Sequence, residues 1–266
     1  MTDKYLVFGN PVSHSLSPDI HTFFAKTTDQ DLVYDRCLVQ EGKFKEQADA
    51  FFKEGGLGCN ITVPCKLDAF SYADELSDYA KAAGAVNTLK KLSDGRIYGD
   101  NTDGRGLVYD LKRLNCPLEG SKTLIIGAGG AAKGIIKPIL ECNPCCITIA
   151  NRTFNKAQDL ADQYQMVKAS TLEDLNETFD VIINSTSASL KDELPGIKDE
   201  IIAKTRFVYD LMYRKNGETV FTQKAKSLNI QHAYDGFGML IGQAVLSFKL
   251  WRGVEPDFKK TLEKFR

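Results

Sequence analysis

The feature that most constrains the fold is a short apolar run that passes directly into a glycine-rich turn. Residues 123–126 read Thr-Leu-Ile-Ile, and the turn that follows consists of Gly127, Ala128, Gly129, Gly130, Ala131 and Ala132. In this G-x-G-x-x-A spacing, placed after a strand and before a helix, the glycines allow backbone amides to approach a pyrophosphate closely. The run therefore predicts a dinucleotide-binding unit. The alternative is a plain strand-to-helix turn in which glycine serves packing alone.

A second cofactor signal follows the next predicted strand, residues 147–150. That strand ends in Asn151, Arg152 and Thr153, with Lys156 nearby, where NAD-dependent enzymes carry an acid for the ribose 2′-hydroxyl. No acid stands there, and a guanidinium with hydroxyl donors suits a 2′-phosphate, which an acid would repel. The sequence therefore favours NADP(H) over NAD(H). The alternative is that Arg152 and Lys156 belong to a solvated charged face.

Strands and helices alternate along the whole chain, which predicts an α/β fold with mainly parallel sheets. The predicted strands are residues 5–8, 32–39, 58–64, 123–126, 147–150, 181–184 and 207–210. The predicted helices are residues 18–27, 41–54, 77–83, 109–114 and 239–248. A chain of 266 residues exceeds the usual single-domain length of roughly 100–150 residues. We therefore expect two domains, the second built on doubly wound, nucleotide-binding topology.

The composition excludes several other classes of protein. The chain has 34 Lys+Arg against 35 Asp+Glu, a formal net charge of −1, which predicts no nucleic-acid partner. No window approaches the roughly 18–20 apolar residues that span a bilayer, and the N-terminus does not resemble a signal peptide, so we expect a cytoplasmic protein. The seven cysteines lack the spacing of a disulfide framework or a zinc site, which predicts buried thiols and no metal.

Four polar segments near the N-terminus predict a second site. They are residues 13–18, 60–66, 84–88 and 99–104, and we read each as following a strand. If the sheet is parallel, these segments converge beyond the carboxyl ends of its strands, where ligands of open α/β sheets bind. Their hydroxyl, amide, ammonium and carboxylate groups suit a small polyhydroxylated substrate.

Together these segments resemble the shikimate/quinate dehydrogenase family. The resemblance rests on the runs GNPVSHSLSP, NITVPCK, GAVNT, GDNTDG, GAGGAA, NRT and DGFGMLIGQA, whose order and spacing match the family over nearly the whole chain. It implies an NADP-dependent oxidoreductase that reversibly reduces 3-dehydroshikimate to shikimate in the aromatic amino acid (chorismate) pathway. It also implies a substrate-binding and catalytic domain of residues 1–103 plus 239–266, and a Rossmann-type NADP-binding domain of residues 104–238.

The resemblance further implies that Lys66 and Asp103 form the catalytic pair. Reduction of a ketone needs a proton donor at the developing alkoxide, and a lysine can supply the proton. Which of the two groups passes the proton stays open, because a carboxylate partner alone raises the pKa of a lysine. The alternative is a purely structural salt bridge.

The remaining site residues are also implied by the resemblance. Ser15 and Ser17 would hold the substrate carboxylate, with Tyr213 as a further contact. Thr62, Asn87 and Gln243 would bind the substrate hydroxyls, and Met212 and Gly236 would contact the cofactor near the nicotinamide. Two of these residues have simpler alternatives, since Ser17 before Pro18 could cap a helix and Asn87 could cap a turn.

Three other functions share much of this pattern. A quinate or dual quinate/shikimate dehydrogenase would carry nearly every residue named above, and a paralogue of the family could act on another substrate. A non-catalytic NADP-binding sensor is a different class, because nucleotide-binding folds host many functions. Such a sensor need not keep Lys66 and Asp103. The sequence is compatible with a monomer or a homodimer.

Overall fold

The computed structural model describes residues 2–266 and divides the chain into two compact α/β units. The first unit contains the chain up to Gly106 together with Ile241–Phe265, and the second contains Leu107–Leu240 with Arg266. Each unit has its own six-stranded sheet. Within residues 2–266, none of the helices combines the length and the apolar character that crossing a bilayer requires.

The first unit is built on a mainly parallel sheet with one reversed strand. Its strands are β1 (Asp3–Gly9), β2 (Leu32–Leu38), β3 (Gly56–Ile61), β4 (Glu75–Leu76), β5 (Thr88–Lys91) and β6 (Ile97–Asp100). They lie in the order β2-β1-β3-β5-β6-β4. Strands β1, β2 and β3 are mutually parallel, whereas β5 runs antiparallel to both β3 and β6.

The reversed strand β5 shows that one predicted polar segment, residues 84–88, leads into a strand and does not follow one, although the segment still reaches the predicted site. The sequence predicts that residues 84–88 follow a strand, but they lead into β5, a strand that the sequence does not reveal. Because β5 is reversed, its first residue, Thr88, pairs with Asn60 near the end of β3 and with Asp100 at the end of β6. The segment before β5 therefore reaches the same sheet edge as the loops that follow β1, β3 and β6.

The second unit has the strand order of a doubly wound nucleotide-binding domain. Its strands are β7 (Lys122–Ile126), β8 (Cys146–Ala150), β9 (Val167–Ser170), β10 (Val181–Asn184), β11 (Phe207–Asp210) and β12 (His232–Tyr234). All are parallel, in the order β12-β11-β10-β7-β8-β9, which read from β9 is the 3-2-1-4-5-6 order of the Rossmann fold. The predicted α/β fold class is confirmed.

The helices and the sequence predictions agree in the main but differ at several ends. The helices are α1 (Ser17–Thr27), α2 (Phe44–Lys53), α3 (Lys66–Tyr72), α4 (Asp78–Ala83), α5 (Asp103–Arg113), α6 (Gly130–Leu140), α7 (Phe154–Ala161), α8 (Asp199–Ile202), α9 (Val220–Ser227), α10 (Phe237–Arg252) and α11 (Phe258–Phe265). The expected start of α2 at residue 41 is wrong because Gly42 has a left-handed φ of 69°, which a right-handed helix excludes. The sequence prediction gives no bounds for α3, α6, α7, α8, α9 or α11.

Helix α5 begins six residues before the predicted start at residue 109. Two glycines in its first turns, Gly104 and Gly106, lower helix propensity and make this stretch resemble a loop. Gly106 serves close packing instead, because a Cβ at this position would lie 2.4 Å from the backbone nitrogen of Gln243 on α10. The backbones of α5 and α10 touch there, which places Gln243 beside the helix that begins with Asp103.

Apolar side chains fill both faces of the second sheet. Ile125 and Ile183 belong to the core on one face, and Leu124 and Ile182 belong to the core on the other. All four are fully buried, and burial of each such side chain stabilises the fold by about 1.5–3 kcal/mol. Strands that are buried on both faces read as continuous apolar runs, which is why the sequence reveals four of these six strands.

Candidate active site

Four polar segments of the first unit meet at one edge of its sheet. Gly9 ends β1, and a Cβ on it would lie 2.3 Å from Thr62 Cγ2, so glycine is needed for the loops after β1 and β3 to approach. The Thr62 amide donates a hydrogen bond to the Phe8 carbonyl at 2.9 Å. Thr62 is therefore held at the sheet edge with its side chain half-buried.

Lys66 and Asp103 form a close ion pair at this edge. Lys66 Nζ lies 2.5 Å from Asp103 Oδ2, and the two side chains are 30% and 22% exposed. Each is the first residue of its helix, α3 and α5 respectively. The Asp103 amide donates to Asn101 Oδ1 at 3.1 Å, which fixes the start of α5. The structure brings the predicted pair together in a partly buried position, and its catalytic role stays a prediction.

Asn87 orients the carboxylate of this pair. Its Nδ2 donates to Asp103 Oδ1 at 2.8 Å and to Thr102 Oγ1 at 2.9 Å. Its Oδ1 accepts from the Thr102 amide at 2.9 Å and from the Thr88 hydroxyl at 2.9 Å. Both oxygens of Asp103 are thus engaged, one by Lys66 and one by Asn87. Asn87 is 2% exposed, and these contacts go well beyond the turn cap that was the alternative.

Ser15 and Ser17 lie in the loop between β1 and α1. Ser15 Oγ is 3.2 Å from Ser17 Oγ and accepts a hydrogen bond from the Ser17 amide at 3.2 Å. The N-cap of α1 is Leu16, which provides no side-chain cap, and Ser17 is the first helical residue. The alternative in which Ser17 caps the helix is therefore wrong. An Arg36 guanidinium nitrogen donates to the Ser15 carbonyl at 2.7 Å and holds this loop.

In the second unit, the predicted pyrophosphate turn lies at the carboxyl end of β7. Gly127 has a φ of 104°, which favours glycine, and its amide donates to the Ala150 carbonyl of β8 at 2.8 Å. Gly129 is the N-cap of α6, and a Cβ built on Gly129 or Gly130 would meet no atom within 4 Å. The first amides of α6 thus border open space. A pyrophosphate fits here, since helix N-termini bind anions.

The loop after β8 lies next to this turn. Ile126 at the end of β7 pairs with Ala150 at the end of β8, so Asn151, Arg152 and Thr153 emerge beside the glycines. Asn151 Nδ2 donates to the Thr153 carbonyl at 2.8 Å. Arg152, Thr153 and Lys156 are exposed, and across residues 2–266 neither Arg152 nor Lys156 forms an ion pair. These cations suit the 2′-phosphate of NADP.

Met212 and Gly236 are also brought together in this unit. The Gly236 amide donates to the Met212 carbonyl at 2.9 Å, and a Cβ on Gly236 would lie 2.1 Å from the Leu211 carbonyl oxygen. Only glycine fits there. Tyr213 follows Met212, and its ring packs edge-on against Phe237 with 5.6 Å between centroids. Burial raises the pKa of the Tyr213 hydroxyl above its usual value.

Two residues that the sequence does not single out complete the first site. Thr102 links Asn87 to the turn before Asp103, and its neighbour Asp103 is the signal that could have revealed it. Ser247 lies on α10 four residues after Gln243, so helical spacing places both on one face. Among the described residues 2–266, no three His, Cys, Asp or Glu side chains are grouped to hold a metal ion.

The two units define a class of protein. One is a Rossmann-type unit with an open pyrophosphate turn and exposed cations. The other carries a partly buried lysine–aspartate pair. Together these features are typical of an NADP-dependent oxidoreductase. Three family models match the chain, described as the shikimate dehydrogenase substrate binding domain over residues 7–89, shikimate / quinate 5-dehydrogenase over residues 110–204, and the shikimate 5′-dehydrogenase C-terminal domain over residues 236–264.

Whole-chain relatives agree with these models. A shikimate dehydrogenase (NADP(+)) from Vibrio campbellii is 53% identical over 267 residues, covering 99% of this chain and 96% of the relative. An Ael1 enzyme from Pseudomonas putida matches with a TM-score of 0.93 and 39% identity, covering 99% and 98% of the two chains. Shikimate 5-dehydrogenase from Thermus thermophilus, crystallised with NADP(H) and shikimate, matches with a TM-score of 0.89 and 30% identity, covering 98% of each chain. The chain belongs to the shikimate dehydrogenase family.

Proposed function

We propose that the protein catalyses the reversible, NADP-dependent reduction of 3-dehydroshikimate to shikimate, a step of aromatic amino acid biosynthesis. The observation that carries the proposal is the 2.5 Å Lys66–Asp103 pair. It stands in a chain 53% identical to a relative named NADP-dependent shikimate dehydrogenase. That name favours shikimate over a quinate-directed enzyme or a paralogue with another substrate, and the lysine–aspartate pair is superfluous in a sensor.

The cofactor, when bound, supplies the hydride to the ketone carbon or accepts it in the reverse reaction. For its pyrophosphate we assign the backbone amides of Gly127, Ala128, Gly129, Gly130 and Ala131. For the adenosine ribose and its 2′-phosphate we assign Asn151, Arg152, Thr153 and Lys156, and for the nicotinamide Met212 and Gly236. The open space at the start of α6 and the exposed cations after β8 support these assignments.

The lysine–aspartate pair stabilises the negative charge that develops on the substrate oxygen. As the ketone carbon is reduced, its oxygen becomes an alkoxide, and the Lys66 ammonium stabilises that charge by a charge-assisted hydrogen bond. The proton that the oxygen gains comes from the Lys66–Asp103 pair. Asp103 holds Lys66 through one carboxylate oxygen, while Asn87 fixes the other oxygen. The pair is therefore oriented before substrate arrives, which lowers the cost of reorganisation.

For the substrate itself we assign hydroxyl and amide contacts. Ser15 and Ser17 donate to the carboxylate, with Tyr213 as a further donor. Thr62, Asn87 and Gln243 bind the ring hydroxyls. The 3.2 Å contact between the two serine hydroxyls supports a shared acceptor, because both can turn toward one carboxylate. We assign substrate binding to residues 1–103 with 239–266, and NADP binding to residues 104–238.

The direct test is the Lys66→Ala variant. We expect kcat to fall by about 100- to 10,000-fold with a small change in KM for shikimate, because general acid–base groups contribute in this range. Lys45→Ala is the matched control, since Lys45 pairs with Asp49 on an exposed surface and lies over the Tyr72 ring, outside the proposed site, and the variant should keep wild-type kinetics. A folded Lys66→Ala protein with unchanged kcat would overturn the catalytic assignment.

We also propose a cytoplasmic location. All seven cysteines within the described part of the chain are unpaired, which supports a reducing compartment. Sedimentation of the purified protein gives its mass in solution and so distinguishes the expected monomer from the homodimer.

A further inference from the structure

The hydroxyl of Ser247 is a junction inside the first unit. Ser247 lies on α10 and is fully buried. Its Oγ lies 2.8 Å from Thr88 Oγ1, 3.1 Å from Asn60 Nδ2, 3.2 Å from Thr102 Oγ1 and 2.9 Å from the Gln243 carbonyl. One side chain therefore connects β3, the first residue of β5, the turn before α5, and its own helix one turn back.

The proton directions around this junction follow from its neighbours. The Thr88 hydroxyl donates to Asn87 Oδ1 at 2.9 Å, so its single proton is used there. The one proton of Ser247 then has two acceptors within reach, Thr88 Oγ1 at 2.8 Å and the Gln243 carbonyl at 2.9 Å. The lone pairs of Ser247 accept from Asn60 Nδ2 at 3.1 Å, and the Thr102 hydroxyl lies 3.2 Å from both Ser247 Oγ and Asn87 Oδ1. The hydroxyl of Ser247 therefore has hydrogen-bond partners for its proton and for its lone pairs.

This arrangement determines which way Asn87 faces. Its Oδ1 accepts from the Thr88 hydroxyl and the Thr102 amide and also lies 3.2 Å from the Thr102 hydroxyl, so its Nδ2 must turn to the opposite side. On that side lie Thr102 Oγ1 and Asp103 Oδ1. If the amide of Asn87 flipped, its oxygen would confront the Asp103 carboxylate without a proton between them. The direction of the Thr88 proton therefore matters for the geometry of Asp103.

We propose that Ser247 is a positioning residue for the proposed reaction, acting through Thr88, Thr102 and Asn87 to hold Asp103 in register with Lys66. The inference rests on the proposed function for its meaning in catalysis. The effect on Asp103 is indirect, because it passes through the hydroxyls and the amide between the two residues. The Gln243 carbonyl, 2.9 Å from the same hydroxyl, is a second acceptor for its one proton, which ties Ser247 to the turn of α10 that carries Gln243.

The test compares Ser247→Ala with Ser247→Cys. We expect Ser247→Ala to lower kcat for shikimate oxidation about tenfold, since four polar partners lose a buried hydroxyl. The Cys variant keeps a weak donor of similar size and should recover part of this loss. Ser121→Ala is the matched control, because Ser121 is also buried and shares its hydroxyl with Thr123 at 2.8 Å, but in the second unit. Its kcat should equal that of wild type.

A double-mutant cycle with Asn87→Ala separates positioning from general destabilisation. If Ser247 acts through Asn87, then Ser247→Ala should change kcat less than about twofold in the Asn87→Ala background. Equal losses in both backgrounds would overturn the proposed route. Unchanged kcat in folded Ser247→Ala would overturn the proposal altogether.

A crystal structure of Ser247→Ala gives a readout that does not depend on turnover. We expect the Asn87 Nδ2 to Asp103 Oδ1 distance, 2.8 Å in the wild-type chain, to lengthen or the amide to flip. An unchanged Asn87 would contradict the positioning role even if the protein proved to act on another substrate. Conversely, a displaced Asn87 in a protein without shikimate activity would leave the positioning role standing and refute the proposed function alone.

Discussion

His21 offers a stability prediction whose size follows from the structure. It lies on α1, fully buried, with its ring stacked on Tyr34 at 4.3 Å and close to Trp251 at 5.3 Å. Phe24 and Phe248 complete the aromatic surroundings. Burial disfavours the charged imidazolium and lowers the pKa of His21 from 6.5 to about 3. Burial also holds the pKa of Tyr34 well above its usual value, so that hydroxyl does not titrate in acid.

The difference between the folded and unfolded pKa of His21 makes stability depend on pH. Above pH 6.5 the histidine is neutral in both states, and its contribution is fully present. As the pH falls from 6.5 toward about 3, the unfolded chain binds a proton that the folded chain refuses, and stability is lost. Between pH 7 and pH 5 this single proton lowers the free energy of unfolding by about 2 kcal/mol.

The assay is urea unfolding of wild type and His21→Phe at both pH values. Phenylalanine keeps an aromatic ring among aromatic neighbours and removes the titratable group. Trp251, the single tryptophan of the chain, lies against His21 and reports unfolding by fluorescence. The fall in unfolding free energy from pH 7 to pH 5 should be about 2 kcal/mol smaller in the variant.

The control for this experiment is an exposed histidine. His232→Gln removes an exposed histidine and leaves His21 in place, so the loss of stability assigned to His21 should remain in that variant. If His21→Phe loses as much stability as wild type between pH 7 and pH 5, His21 is not the group that makes the free energy of unfolding depend on pH.

Two further predictions concern the cofactor site. Arg152→Ala should raise KM for NADP⁺ about 10- to 100-fold and leave KM for NAD⁺ nearly unchanged in steady-state assays, because the guanidinium gains a partner only when a 2′-phosphate is present; equal changes for both cofactors would contradict the phosphate assignment. Gly127→Ala should lower both the Tm and the NADP⁺ affinity in calorimetry, because φ at Gly127 is 104° and a Cβ there would lie 2.7 Å from Ser185 Oγ. Gly129→Ala should weaken NADP⁺ binding but keep the Tm of wild type, because a Cβ at Gly129 meets only open space. Equal losses of Tm in the two variants would argue against this distinction.

The sequence reveals four of the six strands of the second unit and three of the six strands of the first. The central strands of the second unit are buried on both faces, so they read as apolar runs, and Gly127 marks the turn that follows the first of them. Strands β9 and β12 escape prediction because they are short and partly polar. In the first unit, β5 carries two lysines and follows a polar segment, which conceals a strand whose pairing depends on β3 and β6.

In the candidate site, too, some residues can be predicted from the sequence and others cannot. Polar segments at strand ends stand out in the sequence, and the family resemblance points within them to Lys66 and Asp103 without knowledge of their 2.5 Å contact. The orientation of Asn87 cannot be predicted in this way, because it depends on donors brought together by the fold. Ser247 is 145 residues from Thr102, and only the packing of α10 against α5 and β5 brings their hydroxyls within 3.2 Å. Local pattern carries no information about such contacts.

The central claim is NADP-dependent oxidation of shikimate, and one spectrophotometric assay tests it directly. Purified protein is given shikimate or quinate, each with NADP⁺ or NAD⁺, while absorbance is followed at the reduced-nicotinamide band. We expect rapid NADPH formation with shikimate and NADP⁺, and little signal from quinate or NAD⁺. A folded protein that binds NADP⁺ but produces no NADPH from shikimate would contradict the claim.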